Sequence, residues 1–283
     1  KTALFAAQKA ITVTAHNISN ASTEGYTRQR AVLEASEPLI YGGLMFGTGV
    51  NVASVQRVYD SFTTAQYREA SSSLSRFEAN EGLLKRLEAV FNDINGSGAL
   101  TYIDKFFNGF QNVANNAPSY TERAQLLSTA SSLADTFNNI ASELEKNLSG
   151  LNDDIVTVAG QINTLAGQAA DLNLRIAGFE SSGAAANDLR DKRDSILDKL
   201  SEYVSINIVE SDTGAVDVSI AGGSMIVAGV KSSAIKVLKN NDDQFLYDVV
   251  SNGSVINSKI TGGRLKGLAE TADYYRGTMD RVD

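Results

Sequence analysis

The sequence predicts a mainly α protein with a β insert, an α+β chain in which a long antiparallel helical bundle carries a small antiparallel β-domain. Two observations predict it. The first is an unbroken three-four apolar spacing over fifteen positions: Leu127, Ala130, Ala134, Phe137, Ala141, Leu144, Leu148, Leu151, Ile155, Val158, Ile162, Leu165, Ala169, Leu172 and Ile176. A mean spacing of about 3.5 holds one seam on one side of an α-helix, so this stretch is a single rod of roughly 75 Å at about 1.5 Å per residue. The second is a change of period after residue 203, where short β-branched runs alternate with turn residues.

The elements follow in order. Residues 1–20 form a helix with Leu4, Ile11, Ala15 and Ile18 on one face, stopped by the polar small-residue segment 17–25. Alternating runs at 26–35 and 50–58 are two strands, and between them Glu37, Pro38 and the glycines at 42, 43, 47 and 49 suit a long hairpin arm. Asp60 is placed to cap a second long helix, with Ala70, Leu74, Phe77, Leu84, Leu87, Phe91 and Ile94 expected to form its inner face. After a break at 95–98, Leu100, Ile103, Phe106, Phe107, Phe110 and Val113 mark a short apolar helix that ends near Pro118, and Ser119 with Glu122 fits a capping box that opens the rod. Residues 188–203 are a further helix, six short strands occupy 206–260, and from Arg264 the pattern is helical again through Leu265, Leu268, Ala272, Tyr275 and Met279.

The seam's flanks indicate what it packs against. With Ile155 and Ile162 at a, the e positions are Ala159, Ala166 and Asn173 and the g positions are Asp154, Gln161, Gln168 and Arg175. A parallel zipper sets its partner with paired e/g charges, and these are missing, so the rod is expected to pack on helices of its own chain, 60–94 and 264–283 running back along it. Gly160 and Gly167 fall at f: either exposed weak points or places where a neighbouring backbone approaches. The expected domains are 1–59, an inner helix with an extended arm; 60–203, the bundle; 204–262, the β-domain; and 263–283, a returning helix.

Composition excludes several function classes. A chain of 283 residues with net charge -8 and no Lys/Arg run is a poor match for nucleic acid, and no stretch approaches the roughly 20 apolar residues of a membrane-spanning helix. There is no cysteine, hence no disulfide framework, thiolate site or Cys nucleophile. His16 is the sole histidine and is read as a helix-surface residue; no triad, HExxH or phosphate-cradling loop accompanies it, and no catalytic residue or cofactor is expected. Asp93, Asn95, Ser97 and Asp104 match part of an EF-hand loop, but a short Asp ends it where a bidentate Glu belongs, so a polar connecting loop is preferred to a calcium site. The acids at 188, 191, 194 and 198 interleave with Arg190, Lys192 and Arg193, which reads as a solvated face or one that meets a neighbour.

A resemblance adds to this reading. Asn17-Ile18-Ser19-Asn20-Ala21-Ser22-Thr23-Glu24-Gly25-Tyr26-Thr27-Arg28-Gln29 resembles the NIxNxxTxGYTRQ signature of flagellar rod, hook and hook-associated proteins. Three further stretches resemble the FlgK family of hook-associated proteins: the Phe106-Phe107 helix leading to Pro118 and Arg123, residues 187–194, and residues 262–268. Hook and rod proteins usually pass from the first motif into β-rich domains.

The resemblance implies a non-enzymatic structural subunit at the junction between hook and filament, assembling by helical packing, extracellular and exported by the flagellar type III route without a cleaved signal peptide. Its implied partners are copies of itself, neighbouring hook and junction or filament proteins, and an export chaperone reached through a C-terminal part; nucleic acid and membrane are not among them. Asn17, Ile18, Asn20, Gly25, Tyr26, Thr27 and Arg28 would serve assembly, residues 1–20 would belong to an inner tube, and the chain would be a fragment lacking its start and its C-terminal part. Without that part, residues 1–59 are expected to be partly unsupported and mobile or repositioned. The alternatives are another flagellar axial protein, a calcium-binding helical module, and a coiled-coil signalling or adhesion protein.

Overall fold

A computed structural model describes residues 1–91, 98–220, 222–240 and 246–282. The chain runs α1 (Thr2–Ser19), β1 (Gln29–Ala35), β2 (Leu39–Tyr41), β3 (Leu44–Phe46), β4 (Val50–Arg57), α2 (Ser61–Phe91), α3 (Ala99–Asn115), α4 (Tyr120–Glu180) and α5 (Asn187–Tyr203). It continues with β5 (Ile206–Glu210), β6 (Val216–Ile220), β7 (Ser224–Ala228), β8 (Lys231–Ser232), β9 (Lys236–Lys239), β10 (Tyr247–Ser251), β11 (Ser254–Val255), a 3₁₀ turn and α6 (Gly263–Val282). The expected α+β class holds, and two of the caps fall where the sequence put them. Asp60 Oδ1 accepts the N–H groups of Phe62 and Thr63, and Ser119 Oγ accepts that of Glu122.

The chain forms two compact units, Lys1–Ser72 with Gln161–Ile235, and Ser73–Gly160 with Lys236–Asp283. In the first, β1 and β4 pair antiparallel from Gln29–Arg57 to Ala35–Val50, with a bulge at Val32/Leu33, and extend into the β2–β3 ribbon. All six residues of that ribbon are exposed. The C-terminal half of the seam belongs here: Ile162, Ala166, Ala169, Leu172 and Ile176 are buried together with Leu197 and Leu200 of α5 and Val218, Ile226 and Val227 of the β5-β6-β7-β8 sheet. Asn163 and Asn173 fix α4 to that sheet. Asn163 exchanges two hydrogen bonds with the backbone of Ile235 at 2.8 Å each. Asn173, wholly buried at its e position, gives Nδ2 to the carbonyls of Val216 and Gly229 and accepts from Val216 N–H and Arg193.

In the second unit Leu144, Leu148, Leu151, Ile155 and Val158 of α4 are buried, with Leu83 and Leu87 of α2 and Leu265, Leu268, Ala272, Tyr275 and Met279 of α6. Helices α2 and α6 run parallel: Arg76 and Asn80 hold Glu270, Asn80 Oδ1 accepts the Thr271 hydroxyl, and Tyr275 donates to the Leu83 carbonyl at 3.1 Å. Gly267 sets the closeness of this contact, since a Cβ there would lie 2.6 Å from Arg76 O and 2.8 Å from Ala79 Cβ.

Four expectations are corrected. The face of α2 read as inner carries Leu74, Phe77, Leu84 and Phe91, all exposed; only Leu87 of that set is buried, because α6 docks on the opposite side at Arg76, Ala79, Asn80 and Leu83. Ile94 lies outside the described residues. The seam is buried only from Leu144 onward, with Leu127 73% exposed, because α3, which has no buried residue, reaches only part of this stretch, Gly109 lying against Leu126. The strands expected as one β-domain form two sheets, β5-β6-β7-β8 in one unit and β11-β10-β9 in the other. Finally, the second half of the seam gathers α5 and a sheet in place of a helical pair, since its e-position asparagine bonds strand backbone. Gly160 and Gly167 meet no neighbouring backbone; a Cβ on either would point into open space.

Candidate functional site

Residues 16–29 and 187–198 stand far apart in sequence and meet in the first unit. Helix α1 ends at Asn20, whose backbone and side-chain N–H groups both donate to His16 O, and Asn20 Oδ1 accepts the Thr23 hydroxyl. The chain then turns at Gly25, where φ is +76° and the backbone passes so near α5 that a Cβ would sit 3.2 Å from Ser195 Cβ. This position therefore needs glycine twice over, for its dihedral and for its clearance. Asn17 closes the loop by standing in for a strand: its Nδ2 donates to Gln29 O and its Oδ1 accepts Gln29 N–H, both at 2.8 Å. The Tyr26 hydroxyl donates to the same Oδ1 at 2.8 Å.

The closed loop is held on the acidic face of α5. Thr27 N–H donates to Asp191 Oδ2 at 2.9 Å, Gln29 Nε2 to Asp188 Oδ1 at 2.8 Å, and Asn187 Nδ2 reaches the carbonyl of Val55. From β4, Arg57 Nη1 lies 2.7 Å from both Asp191 Oδ1 and Asp194 Oδ2, with the Tyr59 ring beneath its guanidinium. From α2, Arg68 pairs with Asp194 and Asp198. The side chains of Arg57 and Asp191 are only 9% and 6% exposed, so these are buried charges that must be matched. Burial would lower the Arg57 proton affinity, but its bonds to Asp191 and Asp194 outweigh that and raise it. Burial raises the Asp198 carboxyl against the opposing pull of Arg68. Burial, helped by the charges of Asp188 and Asp191, raises the Tyr26 phenol.

A second tie lies on another face of α5. Arg190 makes a two-pronged contact with Glu180, at 2.7 and 2.8 Å, and also bonds Glu210 of β5. The Arg190 bond holds Glu180 below the ordinary glutamate value, against its burial. Arg193, wholly buried, donates to Gly214 O at 2.6 Å and to Asn173.

Of the residues singled out in sequence, Asn17, Asn20, Gly25, Tyr26 and Thr27 converge on this junction. Arg28 contributes its carbonyl, which accepts Val58 N–H, while its side chain is exposed; Ile18 is exposed on the same helix side as Leu4 and Ile11. Asp93, Asn95 and Ser97 lie outside the described residues. Asp104 is exposed on α3, and among the described residues no group of three metal-capable side chains occurs. His16, read as a plain surface residue, is half-buried and bonded to Tyr26. The acids at 188–198, read as a solvated face, instead hold Thr27, Gln29, Arg57 and Arg68. The sequence signal that was missed is Arg57, the one charged residue of β4, which called for an acidic partner elsewhere.

Residues 84–283 match the family described as flagellar hook-associated protein FlgK helical domain, and residues 1–27 match the flagella basal body rod protein family. The chain belongs to the FlgK family of flagellar hook-associated proteins. It is 33% identical over 287 residues to flagellar hook-associated protein 1 of Bacillus subtilis (strain 168), covering 99% of this chain and 53% of that protein. The protein of the same name from Salmonella typhimurium is 28% identical, with 99% and 52% covered. The solved structure of the flagellar hook junction protein FlgK from Burkholderia pseudomallei aligns with a TM-score of 0.66 at 27% identity, over 75% of this chain and 39% of that one. This FlgK-family chain thus spans about half the length of the curated relatives it matches. Its loop-to-helix junction joins two of the stretches that carried the resemblance, residues 17–29 and 187–194.

Proposed function

We propose that this chain is part of a structural subunit of the bacterial flagellum that joins hook to filament by helical packing of many copies. Its neighbours would be copies of itself and hook, junction or filament proteins, and it would reach the cell exterior by the flagellar type III route without a cleaved signal peptide. An export chaperone would bind through the C-terminal part of the longer protein. The observation that carries the reading is the junction itself. Its ionisable groups are spent on tying elements together, Arg57 and Arg68 to Asp191, Asp194 and Asp198, an arrangement suited to fixing the direction of α1 and not to turning over a substrate. The outward stripe of Leu4, Ile11 and Ile18, spaced by seven, supports inter-helix packing by α1. The boundaries 1–59, 60–203, 204–262 and 263–283 are kept as assembly segments: arm, bundle, outer β region and returning helix. Asn17, Gly25, Tyr26 and Thr27 act by orienting α1, and Ile18 by contact.

Deleting the gene for the longer protein in its own bacterium tests this. Electron microscopy should show hooks without attached filaments, restored by the wild-type gene and not by an Arg57→Ala, Asp191→Ala variant. Normal filaments in the deletion strain would overturn the junction role.

A further inference from the structure

The β2–β3 ribbon is apolar on both of its faces. Its register pairs Leu39 with Phe46, Ile40 with Met45 and Tyr41 with Leu44, across a turn at Gly42 and Gly43 that are both at positive φ. Residues directly opposite share a face, so Leu39, Tyr41, Leu44 and Phe46 lie on one side and Ile40 and Met45 on the other. All six are 49–76% exposed, and residues 38–56 carry no charge. Soluble monomers rarely leave so continuous an apolar strip uncovered, and exposed strand edges are usually guarded by charged side chains. A ribbon with one apolar face needs only a surface to lie on; one with two needs a slot.

The same unit has such a slot. A groove of about 470 Å³ lies beside the second half of α1, lined by Ala10, Val13 and Ile18 of that helix and by Arg28, Ala31 and Leu33 of the chain leading into and along β1. Its lining takes in residues 28–31 and no residue of β4, so the groove opens on the edge of β1 that has no strand partner among the described residues. Arg28 and Arg30 are the charged residues of the lining, and the charge nearest the ribbon is Glu37. The ribbon of the same chain stands clear of this groove. Gly49, at the ribbon's base, lies against Thr2 at the start of α1, whereas the groove begins only at Ala10.

We propose that the ribbon of one copy enters this groove on a second copy, adding its strand edge to β1 and its side chains along α1, with Glu37 brought toward Arg28 and Arg30. Knob and slot are different parts of one chain, so the contact repeats head to tail and does not close on itself, which is the geometry of a helical array. The inference rests on the reading of a subunit packed in many copies, and it names where two copies meet.

These residues hold no cysteine, so a thiol can be placed on each side of the contact. Met45→Cys on the ribbon and Thr14→Cys in the groove are introduced together into the longer protein in its own bacterium, and isolated flagella are treated with a short bismaleimide. Linked dimers and higher multimers should form in the double variant and not in either single one. Adding Ile40→Asp places a carboxylate in the filled groove and should cut the multimers at least about tenfold. Because Ile40 is 69% exposed, that change should leave the thermal midpoint of the purified longer protein where it was. Monomers alone, a link within one chain, or dimers from Met45→Cys by itself would overturn the contact. Electron microscopy of the same strains reads the junction separately. Attached filaments without multimers defeat the ribbon contact alone, whereas absence of the protein from the flagella defeats the junction reading and the contact with it.

Discussion

Replacing Arg57 by alanine removes the cation that Asp191 and Asp194 share. Removing one partner of a buried ion pair costs about 3–5 kcal/mol, because the other charge stays buried. Here each carboxylate keeps a second donor, Thr27 N–H for Asp191 and Arg68 for Asp194, which points to the lower end, about 3 kcal/mol or roughly 150-fold in the local unfolding equilibrium. Native-state hydrogen exchange across Gln29–Ala35 and Val50–Arg57 reads this directly, since those strands owe their seat on α5 to the cluster. Arg57→Met combined with Asp191→Asn should recover at least half the loss, as the amide oxygen introduced by D191N would still accept from Thr27 while the orphaned charge is gone. A loss below about 1 kcal/mol for Arg57→Ala, or a double variant no better than the single one, would refute the view that matched buried charge holds the arm.

Four more outcomes are expected. Asn173→Ala strands the N–H and carbonyl of Val216 and the turn carbonyl of Gly229, so denaturant unfolding should show a loss of about 2–4 kcal/mol. Gly267→Ala drives a methyl into Arg76 O and Ala79, and a drop of about 1–3 kcal/mol should appear in exchange protection of α6 but not of α5. Gly160→Ala adds a methyl that meets nothing, in mid-helix, and should raise the thermal midpoint through about 0.5–1 kcal/mol of extra stability. Because Glu180 is held below its ordinary value of 4.5 by Arg190, its contribution is present above that value and lost as pH falls through the folded-state titration. Glu180→Gln should therefore be less stable than wild type at about pH 6, and the difference should shrink as pH falls below 4.5 in matched urea titrations.

Local chemistry was legible in the sequence. Asp60 and Ser119 announced their caps because a cap needs only the next three residues, and the seam announced α4 because its period is a property of one helix. Which side of α2 lies inward was not legible: both sides carry apolar residues, and the choice was made by α6, about 190 residues later. The loop at 17–29 was recognisable as a pattern, and its partner at 187–194 likewise. That the two bind each other was hidden, since acids flanked by basic neighbours in a helix look self-paired until Arg57 and Arg68 arrive from elsewhere. Asn173 was noted only as an uncharged e position, yet it ties a helix to a strand.

The span between Thr27 and Asp191 is 164 residues, and it has a kinetic consequence. Anything that delivers the chain amino end first, ribosomal synthesis included, presents α1 and the closed loop long before the helix that seats them exists. At about 5–20 residues per second that interval is roughly 8 to 33 s, far longer than the microseconds in which α1 itself forms. During it the Leu4, Ile11 and Ile18 stripe and the unsatisfied amide of Thr27 are open to any other occupant. The last lock on the amino end is thus timed by the middle of the chain.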